Sequence, residues 1–103
     1  MYKLNFYVPK KEKESVKQAL FEIGVGKYKN YDQCSFETLG IGQFRPINGA
    51  NPFLGKVDKV QRVEEYKVEM LCCDELIKEA IRVLKEAHPY EEVAYEIFEI
   101  QKF

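Results

Sequence analysis

Hydrophobic and polar residues follow two different periods along this chain. In residues 2–8 apolar side chains alternate with polar ones, which predicts a half-buried β-strand that ends at Pro9. In residues 11–23 apolar side chains recur every three or four positions, the spacing of one face of an α-helix. The same two patterns predict further strands at residues 34–39, 61–72 and 93–100, and a second helix at residues 74–87.

The predicted element order is β-α-β-β-α-β, in a single domain that covers residues 1–103. This order is typical of a ferredoxin-like α+β sandwich, in which a four-stranded antiparallel sheet carries two helices on one face. On the other face we expect Tyr7, Leu39 and Phe98 among charged residues. If these apolar groups cluster, that face would be an association surface.

The segment from Gly40 to Gly55 is expected to leave the sheet. Its four glycines and two prolines predict an irregular loop, with Gly40 and Gly42 disrupting the second strand before extended structure resumes at residues 43–45. A compact domain rarely keeps so long a loop unless the loop binds something or packs against a partner. The polar side chains within this segment are candidates for ligand binding or for loop anchoring, namely Gln43, Arg45 and Asn51.

The charge balance, the apolar runs and the cysteines of the chain limit which partners and which compartment are expected. Sixteen basic and seventeen acidic residues give a net charge of −1, which argues against a nucleic-acid or anionic-membrane partner. No apolar run approaches the ~18 residues of a membrane span. The cysteines Cys34, Cys72 and Cys73 are odd in number and form no C-x-x-C motif, so neither a disulfide framework nor a zinc motif is predicted. We therefore expect a cytoplasmic protein with reduced cysteines.

His88, Glu91 and Glu92 lie between the second predicted helix and the last predicted strand. Imidazole and carboxylate groups are metal ligands, so these three residues are candidates for a divalent-metal site, with Tyr90 as a further ligand-binding candidate. The alternative is structural: His88 caps the helix, Pro89 ends it, and the two glutamates are solvated or paired with lysines.

Two other candidate sites also have structural alternatives. Arg45 and Gln43 can form an anion clamp, because guanidinium binds carboxylate and phosphate in a bidentate manner. Alternatively, Arg45 forms an ion pair that anchors the loop, with Asp32, Glu91 or Glu92 as partners. Asp32 and Cys34 are further candidates for ligand binding or loop anchoring. Cys34 would be a nucleophile only with a base beside it, for which the only histidine of the chain is His88, and its structural alternative is a small buried apolar residue.

Four ordered motifs resemble one family. They are N-Y-D-Q-C-S-F at 30–36, G-Q-F-R-P at 42–46, G-A-N-P-F-L-G at 49–55 and A-H-P-Y-E-E-V-A-Y at 87–95. Together they resemble the inserted domain of the NGG-interacting-factor-three family, whose members are also called homologues of GTP cyclohydrolase type two. The resemblance spans almost the whole chain.

The resemblance implies a fold and an assembly but no catalytic centre. Full-length members of the family hold a dinuclear metal site in two flanking halves of a larger domain, and the motifs found here match neither half. The inserted domain is similar to the PII and CutA proteins, which implies a homo-oligomer, with a trimer favoured over a dimer. It also implies that the loop after the second strand reaches towards ligands or partners.

Three functions are compatible with these features. The favoured one is a non-catalytic, oligomeric binding or regulatory module that engages a small molecule, a metal ion or a protein partner through loop 40–55 and the turn from His88 to Glu92. The second is a purely structural assembly module. The third is a metal-dependent, hydrolase-like activity at a subunit interface, for which the chain offers no convincing nucleophile–base pair.

Overall fold

A computed structural model describes all residues from 1 to 103 and confirms the predicted order of elements. The strands are β1 (Tyr2–Pro9), β2 (Phe36–Phe44), β3 (Gln61–Cys72) and β4 (Tyr95–Glu99). The helices are α1 (Lys10–Glu22) and α2 (Ile77–Ala87), and a short 3-10 turn (Asp74–Leu76) leads into α2. Neither helix combines the length and the apolar content that a membrane span requires.

The four strands form one antiparallel sheet in the order β2-β3-β1-β4. β1 lies in the interior of the sheet, where Phe6 is opposite Val68 of β3 on one side and Tyr95 of β4 on the other. β2 and β4 are therefore the two edges, and each has one side without a strand partner.

One hydrophobic core joins both helices to the same face of the sheet. Leu4, Phe6 and Val8 of β1 are fully buried, as are Val16 and Leu20 of α1. The cluster is completed by Ala80 and Leu84 of α2, by Val68, Met70 and Cys72 of β3, and by Val25 after α1. Burying a large apolar side chain contributes about 1.5–3 kcal/mol, so this shared face stabilises the whole sandwich. The predicted α+β fold is thereby confirmed.

Strand β2 differs from the prediction in its bounds. It begins at Phe36 and runs without interruption to Phe44, paired residue by residue with β3, so Gly40 and Gly42 belong to the strand and form no bulge. Cys34 lies before the strand, where its N–H donates to the carbonyl of Gly26 at 2.8 Å. The irregular segment is consequently residues 45–60, called loop 45–60 below.

The register also corrects the predicted open face, the sheet face opposite the helices. Leu39 is paired with Tyr66, which packs against the core, so Leu39 lies on the helix-facing side of β2. The helices do not reach that far, and Leu39 and Ile41 remain 54% and 68% exposed. Tyr7 and Phe98 do lie on the open face, in register with Lys67 and Lys3 respectively.

Candidate functional site

Loop 45–60 is closed at its base by its own backbone. The N–H of Asp58 donates to the carbonyl of Pro46 at 2.6 Å, and the N–H of Ala50 donates to the carbonyl of Ile47 at 3.0 Å. Pro46 is buried, although most of the loop is exposed. The first bond holds the two ends of the loop together and the second forms a tight turn within it, so the loop leaves the sheet as a compact lobe rather than an extended flap.

The loop is also attached to the segment between α2 and β4, called turn 88–94 below. The N–H of Asn51 donates to Glu91 Oε1 at 3.1 Å. The ring of Phe53 lies against the ring of Tyr90, with centroids 6.3 Å apart. Glu91 is thus the anchor of the loop, and its partner is the main chain of Asn51.

Arg45 does not anchor the loop. The predicted ion pair with Asp32, Glu91 or Glu92 is absent, since Arg45 has no carboxylate within 4.0 Å. The side chain is exposed where β2 ends, and the loop obtains its attachment from a backbone donor instead. The guanidinium therefore stays available on the wall of the cleft described below.

Tyr90 connects turn 88–94 to the sheet. Its hydroxyl donates to Glu65 Oε2 at 2.9 Å, and its ring also contacts Phe44, with centroids 6.1 Å apart. Burial and the neighbouring Glu65 carboxylate raise the pKa of Tyr90, so its hydroxyl stays protonated and donates throughout the neutral range. The Glu65 side chain crosses the sheet over Gly42, where a methyl group would collide with its carboxylate.

His88 is a structural residue in this arrangement. It is 5% exposed, its Nε2 lies 2.7 Å from the carbonyl oxygen of Tyr7, and its Nδ1 lies 3.1 Å from the N–H of Tyr90. A carbonyl only accepts and an N–H only donates, so the imidazole is neutral with its proton on Nε2. Burial lowers the pKa of His88, which favours the same neutral form.

These contacts do not fit a divalent metal ion. Both nitrogens of His88 are engaged, and one oxygen of Glu91 is occupied by the main chain of Asn51. The chain has no group of three or more His, Cys, Asp or Glu side chains placed closely enough to hold one metal ion together. The backbone N–H of His88 donates to the carbonyl of Leu84 at 3.0 Å, which is the helix-ending contact of the structural alternative.

The loop, the turn and the open face of the sheet enclose a cleft of ≈ 560 Å³. This size lies within the ~300–1,000 Å³ range of small-molecule sites. Among the predicted residues, Gln43, Arg45, Tyr90, Glu91 and Glu92 line it, and Asn51 lies beside it through its bond to Glu91.

Asp32 and Cys34 lie elsewhere. Cys34 lines a separate surface pocket with Lys3 and Glu69, and its thiol contacts the carbonyl of Asp32 at 3.6 Å. The imidazole of His88 is occupied by other partners, so the two residues do not form a nucleophile–base pair.

Sequence patterns did not point to four residues of the cleft. Phe44 and Phe53 supply aromatic walls, while Tyr7 and Glu65 lie at the sheet surface. Tyr7 was predicted on the open face, but nothing local placed it near the loop. Glu65 reaches the cleft because strand register puts it beside two glycines, and pairing between distant strands leaves no local signal.

Sequence relatives give this geometry a family context. The chain is 40% identical to the GTP cyclohydrolase 1 type 2 homologue of Bacillus subtilis (strain 168) over 100 residues, which are 97% of this chain and 27% of that protein. It is 41% identical over 92 residues to the homologue from Mycobacterium tuberculosis, covering 89% of this chain and 24% of the relative. The structure of a Bacillus cereus protein related to NIF3 matches 98% of this chain and 26% of its own, with 34% identity and a TM-score of 0.84.

This chain is homologous to one segment of the NIF3-related proteins. The resemblance to the NGG-interacting-factor-three family is therefore confirmed, and the chain spans about a quarter of the length of the relatives it matches. No protein-family model matches it.

A second set of structures shares the fold alone. CutA1 from Pyrococcus horikoshii matches all of this chain and 86% of its own, with a TM-score of 0.72 and 17% identity. The PII-like protein CutA from Nostoc sp. PCC 7120 matches 97% of this chain with a TM-score of 0.70 and 17% identity. The predicted PII/CutA-like architecture is thus confirmed.

Proposed function

We propose that this protein is a non-catalytic binding module whose ligand occupies the cleft between loop 45–60 and turn 88–94. The observation that carries the proposal is the cleft itself, which the chain builds from three separate segments and stabilises with specific contacts. The Asn51–Glu91 bond fixes the loop, and the Tyr90–Glu65 bond fixes the turn against the sheet. A preformed concave surface with apolar walls and a few polar groups is what small-molecule sites require.

An oligomer forms part of the proposal, with a trimer favoured and a dimer as the alternative. Both edge strands lack a partner on one side. Leu39 and Ile41 on edge strand β2 and Phe98 on edge strand β4 are more than half exposed. Exposed apolar groups along unpaired edges favour association, and the same observation supports the second candidate function, a structural assembly module.

Catalysis and a resident metal are not part of the proposal. The cleft holds no nucleophile beside a free base, because His88 is committed to Tyr7 and Tyr90. Two structural neighbours are named for divalent ion or cation tolerance, but at 12% and 15% identity they support the fold only. The three free cysteines support our assignment to a reducing compartment, the cytoplasm.

A ligand screen followed by amide chemical shifts tests the proposal. The library includes amines, carboxylates, nucleotides and divalent ions, and we expect at least one compound to shift amides of loop 45–60 and turn 88–94 together. Two exposed phenylalanines provide the matched pair of variants: Phe53, in the cleft, and Phe36, outside it. Phe53→Ala is expected to weaken the response and Phe36→Ala to leave it unchanged. A full library without any shift at these residues would refute the proposal.

A further inference from the structure

The aromatic residues of the cleft form a concave group around Tyr90. The rings of Phe44 and Phe53 are tilted against it by 55° and 44°, with centroid separations of 6.1 and 6.3 Å. Phe53 is 53% exposed and Phe44 is half-buried, so ring surface remains open to the cleft. Aromatic faces carry partial negative charge and attract ammonium and guanidinium groups within about 6 Å.

The charged residues of the cleft favour the same kind of ligand. Glu65, Glu91 and Glu92 line it together with one cation, Arg45, so three carboxylates against one guanidinium leave a formal charge of −2. Arg45 pairs with none of these carboxylates. An anion held by Arg45 would face three like charges, whereas a cation would be attracted by all three.

The carboxylates also have acceptor capacity to spare. Glu65 uses Oε2 for Tyr90 and Glu91 uses Oε1 for Asn51, while the second oxygen of each makes no hydrogen bond within the chain. The Glu92 carboxylate makes no hydrogen bond, and no lysine lines the cleft to pair with it. Elsewhere the chain stacks its own lysines on aromatic rings, as Lys13 does on Tyr66 at 4.0 Å. The rings of the cleft have no such internal partner.

We propose that the cleft binds a small organic cation, with an ammonium or guanidinium head group held by Phe44, Phe53 and Tyr90 and by the unpaired carboxylate oxygens. This inference rests on the proposed binding function and names its ligand class. The ≈ 560 Å³ of the cleft leaves room for an alkyl chain, which would lie against Ile47, Leu54 and Ala94. A bare metal ion does not suit the site, because divalent ions need several converging oxygen or nitrogen ligands and aromatic rings supply none.

Two isosteric probes test the charge requirement directly. N-butylguanidinium and N-butylurea have nearly the same shape, and only the first is charged. We expect N-butylguanidinium to shift amides of loop 45–60 and turn 88–94 in a saturable titration, and N-butylurea to bind at least about fivefold more weakly. Pentanoate, an anion of similar length, is expected to bind more weakly still.

Variants assign the contribution of each group. Phe53→Ala and Glu92→Gln are expected to weaken N-butylguanidinium binding by about two- to fivefold each. Arg45→Ala is expected to tighten it by about twofold, because the variant removes the one competing cation. Glu99→Gln is the matched control for charge, since Glu99 is an exposed residue of β4 outside the cleft.

Two peptide probes test whether the cation belongs to a free small molecule or to a peptide side chain. The capped tripeptide Ac-Gly-Arg-Gly-amide presents the same guanidinium from a peptide chain, with Ac-Gly-Gln-Gly-amide as its neutral counterpart. Saturation by either cationic probe supports the inference, and the tighter one shows whether a free small molecule or a peptide side chain fits better.

Three outcomes would overturn the ligand class. They are N-butylurea binding as tightly as N-butylguanidinium, pentanoate binding more tightly than N-butylguanidinium, and N-butylguanidinium binding Arg45→Ala more weakly than the native protein. Each of these outcomes would leave the cleft itself as a binding site. In contrast, the absence of any shift at the cleft with every probe and every library compound would remove the proposed function as well.

Discussion

The Tyr90 hydroxyl donates a hydrogen bond of 2.9 Å to the Glu65 carboxylate, which ties the turn after α2 to the surface of strand β3. Glu65 reaches Tyr90 by crossing the sheet over Gly42, a position where the neighbouring strand has no side chain. The glycine that the sequence suggested as a strand breaker is therefore the residue that lets this contact form.

Gly42→Ala is expected to break the contact. A methyl group at this position would meet the Glu65 carboxylate, which would have to move away from Tyr90. We expect a loss of about 1 kcal/mol in the free energy of unfolding, the usual contribution of one hydrogen bond. Gly40→Ala is the control, because nothing lies within 4 Å of a methyl group there. Urea denaturation of both variants checks the prediction, and equal losses would contradict it.

His88 is expected to make the protein less stable as the pH falls below about 6.5. Burial lowers its pKa in the folded state, so between the two pKa values the unfolded chain binds more protons than the folded one. The free energy of unfolding should therefore fall by up to about 1.4 kcal/mol per pH unit within that window. The pKa values of Glu37 and Glu69 are lowered by Lys13 and Lys3, so their stabilisation is lost only at more acidic pH.

Urea denaturation between pH 7 and 5 checks this prediction. The chain has one histidine, so His88→Gln should flatten the pH dependence in this range. If that variant does not fold, the imidazole proton shifts of the native protein provide the second measurement. A pKa for His88 at or above its ordinary value would contradict the predicted direction.

The His88 imidazole is not expected to coordinate a divalent ion. Coordination would require one ring nitrogen to give up its bond to Tyr7 or Tyr90, both of which stabilise the fold. Zinc should therefore change the melting temperature of the native protein and of His88→Gln by the same amount. A zinc-dependent rise that disappears in the variant would show that the imidazole binds metal.

Strands in which apolar and polar residues alternate regularly could be predicted from the sequence. For β2, only the existence of the strand could be predicted, and its continuity through Gly40 and Gly42 could not. β1 and β3 alternate apolar and polar residues because each has one buried face, and both have the expected bounds to within one residue. β2 contains Gly40 and Gly42, which carry no side chain to alternate. Its continuity comes from backbone pairing with β3, which the local sequence does not encode.

The sequence indicated several of the residues that line the cleft but not the contacts between them. Tyr90, Glu91 and the loop residues do come together, as the irregular sequence suggested. Glu91 was one of three carboxylates expected to pair with Arg45, whereas its actual donor is the main-chain N–H of Asn51. Every residue except proline has such a donor, so no residue type marks it in a sequence.

Glu91→Ala is expected to loosen loop 45–60. The variant removes the acceptor for the N–H of Asn51, so hydrogen exchange at that amide should accelerate by about fivefold, equivalent to about 1 kcal/mol. Glu91→Gln keeps an acceptor oxygen and should retain most of the protection. Glu92→Ala is the control, since the adjacent carboxylate makes no hydrogen bond to the loop. Similar exchange rates in Glu91→Ala and Glu92→Ala would show that another contact holds the loop.

Ile41→Lys is expected to dissociate the proposed oligomer. Ile41 is 68% exposed on edge strand β2, where the sheet has no further strand and the helices do not cover it. A lysine there would place a charge inside any interface built on this edge, and charged side chains are a common means of blocking edge association.

Val57→Lys introduces the same charge at an exposed apolar position of loop 45–60 and serves as the control. Light scattering at micromolar concentration should show an oligomer for the native protein and Val57→Lys, and a monomer for Ile41→Lys. A native monomer, or an unchanged Ile41→Lys oligomer, would mean that β2 is not the interface.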